Sequence, residues 1–306
     1  MRVAVTPPSF CKSESLRSKL SGLFPNTIYS EKNNYLSESE LVDFLIGAEA
    51  AIIGRDPVTQ SALDALPELK IISKYGVGLD NIDLDAIRKK GIELAVAVGT
   101  NKRSVAELTL SFMIGLCHNI FISAERMKKG KWIRDGGQNL SKKTIGIIGC
   151  GNVGKEVVKL LKPFDCEILI NDIENRGKYC EEHDVKESSF EILIKASDIV
   201  SMHVPLTNLT KNMIDENVLL AMKNNAFLIN TSRGPVINPF HLHRALISGE
   251  ILGAALDVFC SEPPSDMDFL NLPNLMVTPH IGGNSVEAVE AMGKGAIDNL
   301  AKFFNR

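Results

Sequence analysis

His280, Arg233 and Glu262 are the residues from which chemistry can be built. His280 sits in Thr278–Pro279–His280–Ile281–Gly282–Gly283, directly after an apolar strand-like run. A histidine so placed is a proton donor that works near neutral pH. Arg233 lies in the tight setting Asn230–Thr231–Ser232–Arg233–Gly234–Pro235, and its planar guanidinium can grip a carboxylate in a fork. Glu262 precedes Pro263–Pro264 and could pair with His280 and raise its pKa. A proton donor, a carboxylate clamp and an acid that keeps the donor charged are what a hydride transfer to the carbonyl of a 2-keto acid needs besides a hydride source. Each residue alone also reads as a structural histidine, a surface arginine or a solvated loop acid. Their recurrence at successive strand ends is what favours the chemical reading.

The hydride source is legible from residue 144 onward. Thr144–Ile145–Gly146–Ile147–Ile148 is a short apolar strand, and Gly149-x-Gly151-x-x-Gly154 follows it directly and opens a helical pattern through Leu161. A second strand, Cys166–Ile170, ends at Asp172, eighteen residues after Gly154. Strand, glycine turn, helix, strand and acid together form a dinucleotide-binding unit. Gly149 permits the tight turn, Gly151 lets a pyrophosphate approach the backbone, and Gly154 lets the helix pack on the strand. The helix N-terminus offers N–H donors to the phosphates. Asp172 is expected to accept the adenosine ribose hydroxyls and to repel a 2′-phosphate, so NAD(H) is expected over NADP(H), although Arg176 stands nearby.

The elements that must position these groups alternate along the chain. Strands are predicted at 2–6, 50–53, 70–73 and 92–98, with a capping box at Ser37–Glu40 and a helix from Leu84 to Lys90 capped by Asp83 and ended by Gly91. Later strands are predicted at 198–204, 226–230, 253–259 and 275–278. This is an α/β pattern with two doubly wound parallel sheets. Residues 1–98 plus 285–306 are expected to form one domain and 99–284 the dinucleotide-binding one, with the helix from Ser104 to Leu116 between them. Its 306 residues suffice for two domains, and a net charge of −3 without a basic run argues against nucleic-acid binding. No apolar stretch approaches membrane-spanning length. A strand begins at Arg2, so no leader is expected, and six cysteines without CxxC spacing read as reduced cytoplasmic thiols. His241 and His243 lie two apart on a helix starting at Asn238–Pro239 and do not share a face. No metal is expected. Cys150, at a helix start, could have a lowered thiol pKa, but is read as a small filler residue.

Taken together, the glycine motif with Asp172, then His203–Val204–Pro205–Leu206–Thr207, Asn230–Gly234, Asp257-x-x-x-x-Glu262–Pro263 and Pro279–His280 resemble the D-isomer-specific 2-hydroxyacid dehydrogenases, from about Ala51 to the end of the chain. The resemblance implies a flavodoxin-like substrate lobe and a Rossmann lobe with the active site in the cleft between them. It implies a catalytic triad of Arg233, Glu262 and His280. It places cofactor contacts at Gly149, Gly151, Asn152, Val153, Gly154 and Asp172, at His203, Val204, Pro205 and Thr207, at Thr231 and Ser232, and at Gly282 and Gly283, with Asp257 meeting the nicotinamide amide. Substrate contacts fall at Lys74, Tyr75, Gly76, Val77 and Gly78, whose N–H groups face the substrate carboxylate, and at Arg55 and Asn101. A homodimer is implied, with the segment near Met127 to Arg134 as an arm over the partner.

Within that family the stretches around Arg55, Tyr75–Asp83, Asn101–Leu108 and Met127–Trp132 look most like D-3-phosphoglycerate dehydrogenases. Many of those carry a C-terminal regulatory domain, which is not expected here. The expected substrate is therefore a small D-2-hydroxy acid or its 2-keto form, with D-3-phosphoglycerate/3-phosphohydroxypyruvate favoured and Arg55, Lys74 and Arg134 as cations for the phosphate. The alternatives are a hydroxypyruvate or glyoxylate reductase on the same scaffold, and a nicotinamide-sensing corepressor of the same fold.

Overall fold

The computed structural model describes residues 1–305, which fall into two compact units, Met1–Asn101 with Gly283 onward, and Lys102–Gly282. These divisions lie a few residues from those expected, and they put Gly283 in the first unit and the whole helix Lys102–Cys117 in the second.

The first unit is a five-stranded sheet in the order β2-β1-β3-β4-β5, with β1 Val3–Val5, β2 Thr27–Tyr29, β3 Ala50–Ile53, β4 Ile71–Lys74 and β5 Glu93–Val96. Every pairing is parallel. β1, β3 and β4 are buried along their whole length because helices cover both faces, so β1 and β3 read as unbroken apolar runs, while β4 ends in the buried polar pair Ser73–Lys74. Val3 and Val5 point into one core with Met292, Ile297 and Leu300 of helix Val286–Phe303, while Ala4 joins Leu41, Leu45 and Leu63 on the other face. Local signals act as sequence predicts. Ser37 and Glu40 form a reciprocal capping box, and Asp83 caps a helix that ends at Gly91 with φ 65°. Pro7–Pro8 stops the first strand, as its sequence predicts, and also starts a helix with Pro8 at its first position, where a missing N–H costs nothing.

The second unit is a seven-stranded sheet in the order β12-β11-β10-β9-β6-β7-β8, with β6 Thr144–Ile148, β7 Glu167–Asn171, β8 Lys186–Glu187, β9 Ile199–Met202, β10 Phe227–Asn230, β11 Gly253–Leu256 and β12 Leu275–Val277. All its pairings are also parallel. The chain runs outward from β6 through β7 to β8, then returns to place β9 on the other side of β6. That reversal is where such sheets bind ligands, outside the carboxyl ends of the strands. The glycine turn after β6 and the His203 loop after β9 both fall there. Helices Lys102–Cys117 and Asn152–Leu161 cover one face through Phe112, Met113, Val157 and Leu161. Among the described residues, no single helix is long and apolar enough to cross a membrane.

Candidate active site

At the reversal point the glycine turn is shaped by its neighbour loop. Gly149 has φ +92°, and a Cβ there would stand 2.6 Å from the carbonyl oxygen of His203. Only glycine meets both demands. A Cβ on Gly154 would stand 2.2 Å from the Gly149 oxygen, so this helix packs against the turn at backbone distance. By contrast, nothing lies within 4 Å of where a Gly151 Cβ would be. The helix Asn152–Leu161 begins at Gly151 with no side-chain cap, and the space beside Gly151 is open. That arrangement fits a pyrophosphate. The Cys150 N–H donates to Asp172 Oδ2 at 2.6 Å, and the Glu174 N–H to Oδ1 at 2.9 Å. Burial pushes the Asp172 carboxyl up, but those two N–H donors and Arg176 outweigh it and hold the group below its ordinary value. Cys150 itself is fully buried, and burial raises its thiol to about 11, the opposite of a reactive helix-start cysteine.

The side chain of His203 shares a hydrogen bond of 2.9 Å with Ser201 Oγ, and desolvation pushes its imidazole down to about 3. It is therefore neutral at physiological pH. The His203 backbone N–H donates to the Ile148 carbonyl at 2.8 Å, tying the ends of β9 and β6 together. Val204 and Thr207 follow in a loop closed by the Thr207 N–H donating to Thr210 Oγ1 at 2.8 Å, and Pro205 is exposed.

His280 is built with more constraint. Its backbone is left-handed, φ +55°, a region that a non-glycine residue occupies at a cost of order 1–3 kcal/mol. Asp257, at the end of β11 and 1% exposed, holds it there. Oδ1 of Asp257 accepts the Thr278 hydroxyl at 2.6 Å and the Ile281 N–H at 2.8 Å, and Oδ2 accepts the Gly282 N–H at 2.8 Å. One carboxylate thus fixes the chain on both sides of His280. Burial raises the Asp257 carboxyl above its ordinary value, and the three donors and the nearby His280 oppose that shift. The imidazole Nδ1 lies 2.9 Å and 3.1 Å from the two oxygens of Glu262. Glu262 also accepts the Phe259 N–H at 3.0 Å, so the acid is anchored to its own loop. With Nδ1 engaged by a carboxylate, the other ring nitrogen, Nε2, is the one presented for proton transfer.

Arg233 follows β10. Asn230, buried at the strand end, donates through Nδ2 to the Arg233 carbonyl at 2.8 Å, and its Oδ1 accepts the Ser232 N–H at 2.9 Å. The Arg233 Nη1 donates to the Ser232 carbonyl at 2.7 Å. A Cβ on Gly234 would lie 2.1 Å from the Phe259 carbonyl carbon, so the arginine loop packs directly on the loop that carries Glu262. Thr231 shares a 2.9 Å hydroxyl bond with Thr109 of helix Lys102–Cys117, and Ser104 donates to the Gly282 carbonyl at 2.6 Å. Thr109, Ser104 and Ser201 escaped the sequence reading, since each acts on a partner that no local pattern identifies.

Arg55, Lys74 to Gly78 and Asn101 belong to the first unit, and the exposed Arg134, like Arg233, to the second. Arg55 is exposed at the end of β3, its guanidinium carbon 5.4 Å from the Tyr35 ring centre. Beside it, the buried Asp56 accepts from the Thr6 hydroxyl, the Leu36 N–H and the Gly54 N–H. Lys74, expected as a cation for substrate phosphate, is only 3% exposed, and its ammonium donates to the Gly54 carbonyl. The Tyr75 side chain lies in the core, with its hydroxyl 3.0 Å from Ser9 Oγ and its ring edge-on to Phe10. Gly76 has φ +104°, Val77 is exposed, and Gly78 is half-buried. Asn101 lies against Gly283. Of the other histidines, His241 Nδ1 accepts the Glu216 N–H at 3.1 Å, and His243 lies 3.9 Å from Asp266.

Residues 110–282 match the family model for the D-isomer specific 2-hydroxyacid dehydrogenase NAD binding domain. The chain is 34% identical over 276 residues to a hydroxypyruvate reductase of Thermotoga maritima, covering 88% of this chain and 89% of that one. It is 36% identical over 271 residues to a D-3-phosphoglycerate dehydrogenase of Methanocaldococcus jannaschii, covering 87% of this chain but 52% of that one, so it spans about half the length of that relative. A D-lactate dehydrogenase from Aquifex aeolicus, solved with NAD and lactic acid, superimposes with a TM-score of 0.88 at 27% identity over 99% of this chain and 95% of the other. The chain belongs to the D-isomer specific 2-hydroxyacid dehydrogenases, and it is an NAD-dependent oxidoreductase.

Proposed function

We propose that this enzyme interconverts a small unphosphorylated 2-keto acid of the hydroxypyruvate–glyoxylate class with its D-2-hydroxy acid. The observation that carries the substrate class is the burial of Lys74. A phosphorylated acid brings up to two further negative charges and calls for cations beyond the carboxylate clamp. Lys74 is 3% exposed, and its ammonium donates to the Gly54 carbonyl, which ties the ends of β3 and β4 together. The near full-length match to a hydroxypyruvate reductase supports the same reading.

In this scheme Arg233 grips the substrate carboxylate, and His280 delivers a proton to the carbonyl oxygen during reduction and takes it back during oxidation. Glu262 holds the imidazole and balances its charge. The glycine turn and Asp172 would hold NAD, which would supply or accept the hydride at the substrate C2. Exposed Ile120, Phe121, Met127, Trp132 and Ile133 support a homodimer built through this segment. Six free cysteines, four of them buried, support a reducing, cytoplasmic setting. The test is a comparison of kcat/KM with NADH across hydroxypyruvate, glyoxylate and 3-phosphohydroxypyruvate. The unphosphorylated acids should lead, and a clear preference for the phosphorylated one would overturn the proposal.

A second reading, 3-phosphohydroxypyruvate as substrate, is favoured by the exposure of Arg55 beside Tyr35. On that second reading, Arg55→Ala should raise KM for 3-phosphohydroxypyruvate by ~10–100-fold, the loss of a charge-assisted contact of ~1.5–3 kcal/mol. Hydroxypyruvate kinetics should be nearly unaltered, because that acid has no phosphate to lose. Equal losses on both substrates would make Arg55 a structural residue.

A further inference from the structure

Beyond β7, two carboxylates compete for one guanidinium. Arg176 places Nη2 2.7 Å from Glu174 Oε2 and 3.3 Å from Asp172 Oδ2. Its Nε is buried with no hydrogen-bond partner. A guanidinium that leaves one N–H desolvated and unsatisfied is held by its carboxylates rather than by the fit of the whole group. The Arg176 backbone is fixed separately, its N–H donating to Glu187 Oε1 at 2.7 Å. Asp172 is committed on both oxygens to the Cys150 and Glu174 N–H groups, so it is part of the glycine turn and cannot move away. Glu174, with its side chain 69% exposed, is the adjustable member. As it stands, the cluster of two acids and one base is net negative where the chain expects the adenosine ribose.

We propose that Glu174 is a cofactor-specificity residue, which neutralises Arg176 and thereby keeps a latent 2′-phosphate-binding cation switched off. The inference rests on Asp172 standing at the adenosine ribose. With Glu174 in place, a 2′-phosphate meets net negative charge and an occupied guanidinium. With a neutral side chain there, Arg176 is released from one of its two acids and can turn its planar donors to the phosphate.

The test measures dissociation constants of ADP-ribose and 2′-phospho-ADP-ribose by calorimetry, which needs neither nicotinamide nor turnover. Wild type, Glu174→Gln and the double variant Glu174→Gln/Arg176→Ala are compared. The single variant should improve binding of the 2′-phosphorylated ligand relative to ADP-ribose by roughly 10–100-fold, the range for a hydrogen bond to a charged group. The added Arg176→Ala change should remove that gain. An unchanged ratio in Glu174→Gln, with ADP-ribose still bound, overturns the switch alone, as does a gain that survives loss of Arg176. Failure of wild type to bind ADP-ribose overturns the placement of Asp172 and the inference with it.

Discussion

Replacing His280 with alanine should lower kcat by roughly 10²–10⁴-fold, the usual cost of losing a positioned general acid–base. The structure gives that expectation its force. His280 is held in a left-handed conformation by a buried carboxylate that grips Thr278 on one side and Ile281 and Gly282 on the other. Glu262 then fixes the ring through both carboxylate oxygens. A protein maintains strain and a buried acid together where the position of one side chain matters. Alanine keeps the backbone bonds to Asp257 and removes only the imidazole, so NADH affinity and thermal unfolding should stay close to wild type while turnover collapses. Near-normal kcat in His280→Ala would remove His280 from the reaction.

Arg233→Lys should also be severe. A lysine keeps the charge and discards the fork. In the native loop, Arg233 donates to the Ser232 carbonyl while its own carbonyl is held by Asn230, which fixes the plane of the guanidinium. An ammonium on a flexible stem cannot both keep that bond and pair with two carboxylate oxygens. Loss of a hydrogen bond to a charged group costs ~1.5–3 kcal/mol, so kcat/KM should fall by roughly 10–100-fold, with KM rising as kcat drops. Steady-state kinetics on hydroxypyruvate and glyoxylate would show this. A substitution that left KM unchanged would mean the substrate carboxylate is held elsewhere.

How much of this was legible from sequence depends on how local each signal is. The glycine turn could be read because its strand, turn, helix and acid lie within thirty residues of one another. The capping box at Ser37 and the glycine stop at Gly91 could be read for the same reason. The buried strands announced themselves as apolar runs. Pro7–Pro8 was ambiguous, since proline ends one element and opens the next with equal ease. β2 and β8 are short and half-buried or exposed, and their sequences carry no alternation to detect. The clamp made by Asp257 was out of reach, because its three donors lie more than twenty residues away and two of them are backbone N–H groups. Lys74 shows the same limit from the other side. Nothing local in the sequence shows that Lys74 lies buried at the end of β4 with its ammonium on the Gly54 carbonyl.

The most direct measurement is NADH oxidation by the purified wild-type protein across a panel of 2-keto acids, with the configuration of the product determined. The account predicts that NADH is consumed with hydroxypyruvate or glyoxylate, and that chiral products such as glycerate are formed as the D isomer. Folded protein that binds NADH yet reduces none of these acids, or that yields the L isomer, would contradict it.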